Sequence, residues 1–303
     1  MFIVRHRKIF FAISGALLAL SIWAMFAYGF NVSIDFKGGT LTEVRYTEVR
    51  PMQNDLETKI NTLNLGGFSI RPSGELNYII RTKELSADEQ QLLVQTLGNP
   101  SVERQNTIGP VAGAELKSKS IKAVGVVILM IVLFITFAFR KVSTGLSRAG
   151  RGVSSWKYGL ATVVALVHDV LIPTGVFVLL GHYMGVEIDL LFVTGLLAIL
   201  GYSVHDTIVV FDRVRENLKI NQEENHSEEF DATVGKSVTQ TFGRSINTSL
   251  TIFITLLALY LFGSTATKDF ALLLIIGVII GTYSSIFVAS PLLVTFSKLQ
   301  RNK

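Results

Sequence analysis

DLLFVTGLLAILGYSVHDTIVVFDR, residues 189–213, decides how this chain is read. From Leu190 to Phe211 the run is long and apolar enough for a membrane-spanning helix, which needs roughly 20 mostly apolar residues. Yet His205 and Asp206 lie inside it. An acid at the centre of a spanning helix costs about 2.5–3.5 kcal/mol on insertion scales, so it marks a functional position by default. Five apolar or small residues, Thr207 to Phe211, still follow Asp206, which places it roughly 7–8 Å inside the span at 1.5 Å per residue. Asp212 and Arg213 fit an ordinary helix end; Asp206 does not.

The composition agrees with a membrane protein. Of 303 residues, 49% are hydrophobic and only 17% charged, with a mean hydropathy of +0.46. That is too apolar for an ordinary soluble domain. The net charge of +5 fits basic cytoplasmic loops better than a nucleic-acid surface. Cysteine is absent, which excludes disulfides and cysteine-held metals.

Six stretches qualify as spans: about 10–29, 121–139, 158–181, 188–211, 245–263 and 270–296. RHRK (5–8) precedes the first, and Ala27-Tyr28-Gly29 resembles a small-residue cleavage site. The apolar run exceeds the roughly 7–15 residues of a signal peptide, so the expectation is a retained anchor. Arg140, Lys141, Arg148, Arg151 and Lys157 crowd the 140–157 loop, which has no acid. The loops near 182–187 and 264–269 hold little positive charge. Both termini and the 140–157 and 212–244 loops are therefore expected in the cytoplasm.

The expected fold is a polytopic α-helical membrane protein with six transmembrane helices and a small extracytoplasmic α+β domain. Residues 1–30 form the N-terminus and first span, 31–119 the outer domain, and 120–303 a five-helix bundle. Within 31–119, TLTEVRY (40–46) alternates as a half-buried strand does. PMQNDLETKINTL (51–63) opens with proline and sets Leu56, Ile60 and Leu63 on one helix face. GFSIRP (67–72) and ELNYIIR (75–81) read as a hairpin. Ser86 to Glu89 is a capping box, and SVERQNTI (101–108) is a last strand. The order β-α-β-β-α-β predicts a ferredoxin-like domain. In the 212–244 loop, Phe230, Val234, Val238 and Phe242 recur at i+4, as in an amphipathic helix lying on the membrane. A short solvated connector is the other reading.

A partner for Asp206 is at hand. TFGRSINTSLT (241–251) opens the fifth span, and its Arg244 falls at a matching depth. An arginine beside a carboxylate favours the ionised form, so protonating Asp206 would break the pair. Arg244 as an interfacial anchor is the simpler alternative. Asn247, Thr248 and Ser249 either hydrogen-bond around this site or glue helices. His168-Asp169, near mid-depth in the third span, is either a proton relay or an internally satisfied structural pair, and Pro173 after it would loosen the helix. Gly277 and Gly281 form a GxxxG, and Gly195, Ala198 and Gly201 line the fourth span for close packing. No nucleotide-binding loop or metal-ligand spacing emerges. The chain is expected to be no enzyme and to use no cofactor or metal.

Together these residues resemble a known family. NVSIDFKGGT (31–40) resembles the Asp-Phe-Lys-Gly-Gly signature of the SecF family, within the SecD/SecF branch of the resistance-nodulation-division superfamily. GYSVHDTIVVFDRVREN (201–217), Arg244 with Asn247-Thr248-Ser249, VHDVLI (167–172) and GPVAGAEL (109–116) are similar to its other motifs. The resemblance implies a protein of the cytoplasmic (inner) membrane that pairs with SecD beside the SecYEG translocon. It implies use of the proton-motive force to assist late translocation of a polypeptide, with Asp206 and Arg244 as the proton-responsive residues and His205 beside them. Membrane lipid is the other expected contact, and nucleic acid is not. In Asp35, Phe36, Lys37, Gly38 and Gly39 the two glycines suit a tight turn, with Asp35 and Lys37 fixing the joint between span and outer domain. Two rivals remain: a proton-coupled half-transporter for small molecules or lipids, and a passive translocon scaffold.

Overall fold

The structure, a computed structural model, describes residues 2–139, 154–224, 228–263 and 265–301. Arg140, Lys141, Arg148 and Arg151, which carry the expected orientation, lie outside these residues. The chain runs α1 (Arg7–Tyr28), β1 (Gly39–Arg45), α2 (Gln53–Asn61), β2 (Ser69–Ser73), β3 (Asn77–Thr82), α3 (Ala87–Thr96), β4 (Ser101–Ile108), α4 (Pro110–Ala138), α5 (Ser155–Met184), α6 (Leu190–Glu223), α7 (Phe230–Phe262), α8 (Thr265–Ser284) and α9 (Ser290–Arg301). A single π turn, Ser285–Ala289, joins α8 to α9. One-turn helices occur at Phe2–Arg5 and Ile34–Lys37. Among the described residues six helices are long and apolar enough to cross a membrane, the sixth running through the π turn.

The chain divides into two compact units. The smaller holds residues 31–122 together with 187–190. Its sheet has the order β2-β3-β1-β4, with every pair antiparallel. That order with the β-α-β-β-α-β succession is the split βαβ arrangement read from the sequence. Because side chains alternate along a strand, Val44, Ile70, Tyr78 and Ile80 turn to one face. There they meet Leu56 and Ile60 of α2 and Leu93 of α3 in a buried core. The opposite face carries Leu41, Arg71, Ile79 and Arg81.

The capping box on α3 is present. Glu89 N donates to Ser86 Oγ (3.3 Å) and Ser86 N to Glu89 Oε2 (2.8 Å). Ser86→Ala should cost about 1 kcal/mol locally, read as faster amide exchange in the first turn of α3. The Ser86 backbone N–H, aided by Lys83, holds the Glu89 carboxyl below its ordinary range. A depressed folded-state value means stability present above the unfolded value and lost as pH falls through the folded one. The protection factors of the same amides should therefore fall in acid, and Glu89→Gln should remove that fall.

The larger unit holds residues 1–30, 123–186 and 191–303. Its helices outrun the expected spans. α4 starts at Pro110, a proline at the first helical position. The expected 212–244 loop is a correction: α6 continues to Glu223 and α7 begins at Phe230, so among the described residues the stretch from Phe230 is the start of a long helix and no separate surface helix forms. Val234 and Val238 are buried against Val210, Val214 and Leu218 of the extended α6, while Phe242 is exposed. Asn217 Nδ2 donates to Ser237 Oγ across the same contact (2.8 Å). The Val234–Val238 part of the apolar stripe is therefore covered by a neighbouring helix. Pro173 leaves α5 unbroken.

α6 and α8 pack in register. A Cβ on Gly195 would meet Leu273, one on Gly277 would overlap Ile199, and one on Gly281 would touch Ser203 at 3.1 Å. Thr207 Oγ1 and Ser285 Oγ hydrogen-bond at 2.8 Å. The sequence offset is constant along this ladder, so the two helices run parallel, and small residues bring their backbones together. Gly201 faces open space and Ala198 is exposed, contrary to their expected packing role.

Candidate functional site

The polar heart of the bundle lies where α6 meets α5, α7 and the π turn. Asp206 is buried, with 7% exposure. Ser245 Oγ of α7 donates to its Oδ1 at 2.6 Å. Its Oδ2 is buried with no hydrogen-bond partner among the described residues. An ionised carboxylate in apolar surroundings is costly unless its lone pairs are satisfied. This oxygen can take up a proton without breaking an existing bond.

The expected Asp206–Arg244 ion pair is not made. Arg244 follows the exposed side of α7, one residue from Ser245, and lines a cavity of about 250 Å³ with Asp212, Arg213, Glu216 and Gln240. The helical period explains this: successive residues point about 100° apart, and Ser245 takes the position facing Asp206. Asn247 and Thr248 are also exposed and do not bond Asp206; His205 is exposed too but, like Arg244, interacts electrostatically with Asp206. Ser249 joins the site, bonding Tyr202 Oη and Thr282 Oγ1, each at 2.6 Å.

His168 and Asp169 form a second cluster. Both are fully buried. Nδ1 of His168 lies 2.8 Å from Asp169 Oδ1. Ser203 Oγ and Ser284 Oγ both donate to Asp169 Oδ2, the latter at 2.7 Å. Every acceptor oxygen of Asp169 is engaged, in contrast to Asp206. His168 Nε2 has no hydrogen-bond partner, and its ring stacks on Tyr283. Sequence reading missed Ser203, Ser245, Ser284 and Ser285. Their signal was spacing: Ser203/Thr207 and Ser245/Ser249 each fall at i, i+4 on one helix face. The π turn puts Ser285 against this seam, and π turns gather at functional sites.

In the smaller unit, the DFKGG stretch is a tight backbone crossing. Gly38 and Gly39 have φ of 77° and 136°. A Cβ on Gly38 would lie 2.8 Å from Pro110 Cα, and one on Gly39 2.5 Å from Thr82 O. Only glycine suits both the angles and the space. Phe36 is buried and Lys37 exposed. Asp35 Oδ2 accepts from Leu190 N at 2.9 Å, which caps the first turn of α6 with an acid. Neither this contact nor the Glu187 ion pairs with Arg71 and Arg81 was visible in the sequence.

Comparison with known proteins agrees with this geometry. Residues 153–299 match the family described as protein export membrane protein SecD/SecF, C-terminal. Residues 23–48 match the SecD/SecF GG motif, which contains Gly38 and Gly39. The chain is 38% identical to the protein translocase subunit SecF of Thermobaculum terrenum, over 97% of this chain and 93% of that protein. It is 34% identical to the SecF subunit of Anaerolinea thermophila, over 96% and 92%. The crystal structure of SecDF, a translocon-associated membrane protein from Thermus thermophilus, superposes with a TM-score of 0.83 at 30% identity, over 99% of this chain. The chain spans 38% of that longer SecDF chain. With six apolar helices and relatives matched along nearly its full length, the chain belongs to the SecF family of multi-pass membrane proteins.

Proposed function

We propose that this chain is the SecF partner of a separate SecD subunit in the cytoplasmic (inner) membrane, and that the pair uses the proton-motive force to assist late steps of Sec-dependent translocation beside SecYEG. The match to curated SecF subunits over 93% and 92% of their length supports the SecF assignment. Both termini lie in the cytoplasm and residues 31–119 outside it. The chain handles an emerging polypeptide without covalent chemistry, cofactor or metal, so it is not an enzyme.

The observation that carries the coupling role is the half-satisfied Asp206: one oxygen bonded to Ser245, the other buried and open. A proton from the outer side loads Oδ2. When the proton leaves inward, the bare carboxylate draws Arg244 from its cavity, and the α6–α7 contact repacks. One charge crossing the potential supplies about 2.3 kcal/mol per 100 mV, so a few protons suffice to shift a two-state helix contact.

Membrane vesicles with SecD and the translocon present test this. After normal complex levels are confirmed, completion of translocation of a pre-engaged secretory protein is followed with and without a proton gradient. Asp206→Asn should lose the gradient-driven component and keep the rest. A full gradient response in the variant would overturn the reading and make Asp206 structural.

A further inference from the structure

The second half of the loop between α5 and α6, from Glu187 to Leu190, belongs to the smaller unit, not to the bundle that flanks it in sequence. Residues 187–190 are tied to that unit at three points. Ile188 N donates to Asn31 O (2.8 Å) and Ser33 N to Ile188 O (3.0 Å), forming a parallel bridge between Val32 and Ile188. Leu190 N donates to Asp35 Oδ2. Glu187 is the third tie. Its side chain is 9% exposed, with Oε2 2.8 Å from Arg81 Nε and Oε1 3.7 Å from Arg71 Nη2. Arg71 and Arg81 sit on the sheet face opposite the one that α2 and α3 cover, by the alternation that sends Ile70 and Ile80 into the core. Leu190 is also the first residue of α6. Asp206 follows on the same helix, about 24 Å further along its axis at 1.5 Å per residue.

We propose that Glu187 is a positioning residue: with Arg71 and Arg81 it clasps the 187–190 strap to their face of the sheet, so that the start of the Asp206 helix moves with the small domain. The inference rests on the coupling role proposed for Asp206. Gly38 and Gly39 fix the crossing against Pro110 at the start of α4 and against Thr82 of β3. The clasp adds a direct tie to the helix that carries the acid.

The energetics favour registration over stabilisation. A buried ion pair contributes little net stability, because desolvation offsets the attraction, but it fixes geometry. Burial pushes the Glu187 carboxyl above its ordinary range against the pull of Arg81 and Arg71; Asp189 adds to the rise, and Lys37 opposes it. A raised folded-state value for an acid means that stability falls as pH rises through it. The ionised clasp is thus held in place by the fold rather than holding the fold together. Arg71 and Arg81 keep 28% and 18% of their side-chain surface exposed, although Arg81 Nε and Nη1 are themselves buried, so normal complex levels are confirmed for each Glu187 variant before coupling is read.

The test uses the full complex in the vesicles described above. Glu187→Lys should lower gradient-driven translocation about fivefold, a coupling change of the size seen for residues that touch neither site. It should also speed amide exchange at Ser33 and Leu190. Adding Arg81→Glu should restore both readouts. If Glu187→Lys keeps full gradient-driven translocation while Asp206→Asn loses it, the clasp is overturned and the Asp206 reading stands. If Asp206→Asn has no effect either, the functional reading fails first. The clasp then stands or falls on exchange at Ser33 and Leu190, and unchanged exchange in Glu187→Lys overturns it.

Discussion

Gly277→Leu should leave almost no folded chain in the membrane. A Cβ at this position would overlap the Ile199 side chain of α6, and Ile199 is itself 1% exposed. Extra methylenes in a packed core cost about 1–3 kcal/mol. Here the obstacle falls at a close helix crossing, so α8 and α6 must separate along the whole ladder from Gly195 to Ser285. Contacts at Leu273, Ser203 and Thr207 are then lost together, and the expected cost is at the upper end of that range or beyond. Ile199→Ala in the same chain should recover most of the loss, since it empties the volume that leucine needs. Gly201→Leu is the control: nothing lies within 4 Å of a Cβ there, and folded yield should not change. Thermal unfolding of the detergent-solubilised complex measures all three. Equal loss in Gly277→Leu and Gly201→Leu would show that the register of α6 on α8 is wrong.

The pattern of what could be read follows from the range of the forces involved. Spans, strands and the capping box were legible because hydropathy, alternation and caps are local. The β-α-β-β-α-β order reached the sheet topology, since short connections leave few alternatives. Helix ends were misjudged where polarity and helicity part company. Beyond Phe211 the chain turns polar, yet Val214 and Leu218 keep the helical period and find Val234 and Val238. The site was half legible. Asp206 announced itself by its cost in an apolar run, and Gly277 and Gly281 by their spacing. Which residue of the fifth span faces Asp206 depends on helix rotation, so charge pointed to Arg244 while the structure places Ser245 there. Glu187 looked like an ordinary loop acid. Its partners Arg71 and Arg81 are distant in sequence, and no local pattern reports which element covers the second face of a sheet.

Asp169→Ala and Asp169→Asn should separate the two fates of a buried acid. Alanine leaves His168 Nδ1 and the Ser203 hydroxyl without their acceptor and Ser284 Oγ with Gly281 O alone, at positions with 1% exposure or less. Removing one member of a buried charged network costs about 3–5 kcal/mol, so complex levels should fall sharply. Asparagine has the same shape. Its Oδ1 still accepts from the serines, and its amide donates to His168 Nδ1 once the imidazole proton moves to Nε2, the other neutral tautomer. Asp169→Asn should therefore fold, with a loss near 1 kcal/mol for the weaker neutral bonds. The functional expectation follows from bonding already in place. Both oxygens of Asp169 are engaged, so taking up a proton means giving up a serine or the histidine, whereas Asp206 Oδ2 has nothing to give up. Asp169 is then a brace that fixes α5 against α6 and the π turn, and Asp169→Asn should retain the gradient-driven part of translocation that Asp206→Asn loses. Loss of that part in a fully folded Asp169→Asn complex would instead make His168 and Asp169 a relay. The buried, unbonded Nε2 of His168 would then be its entry point.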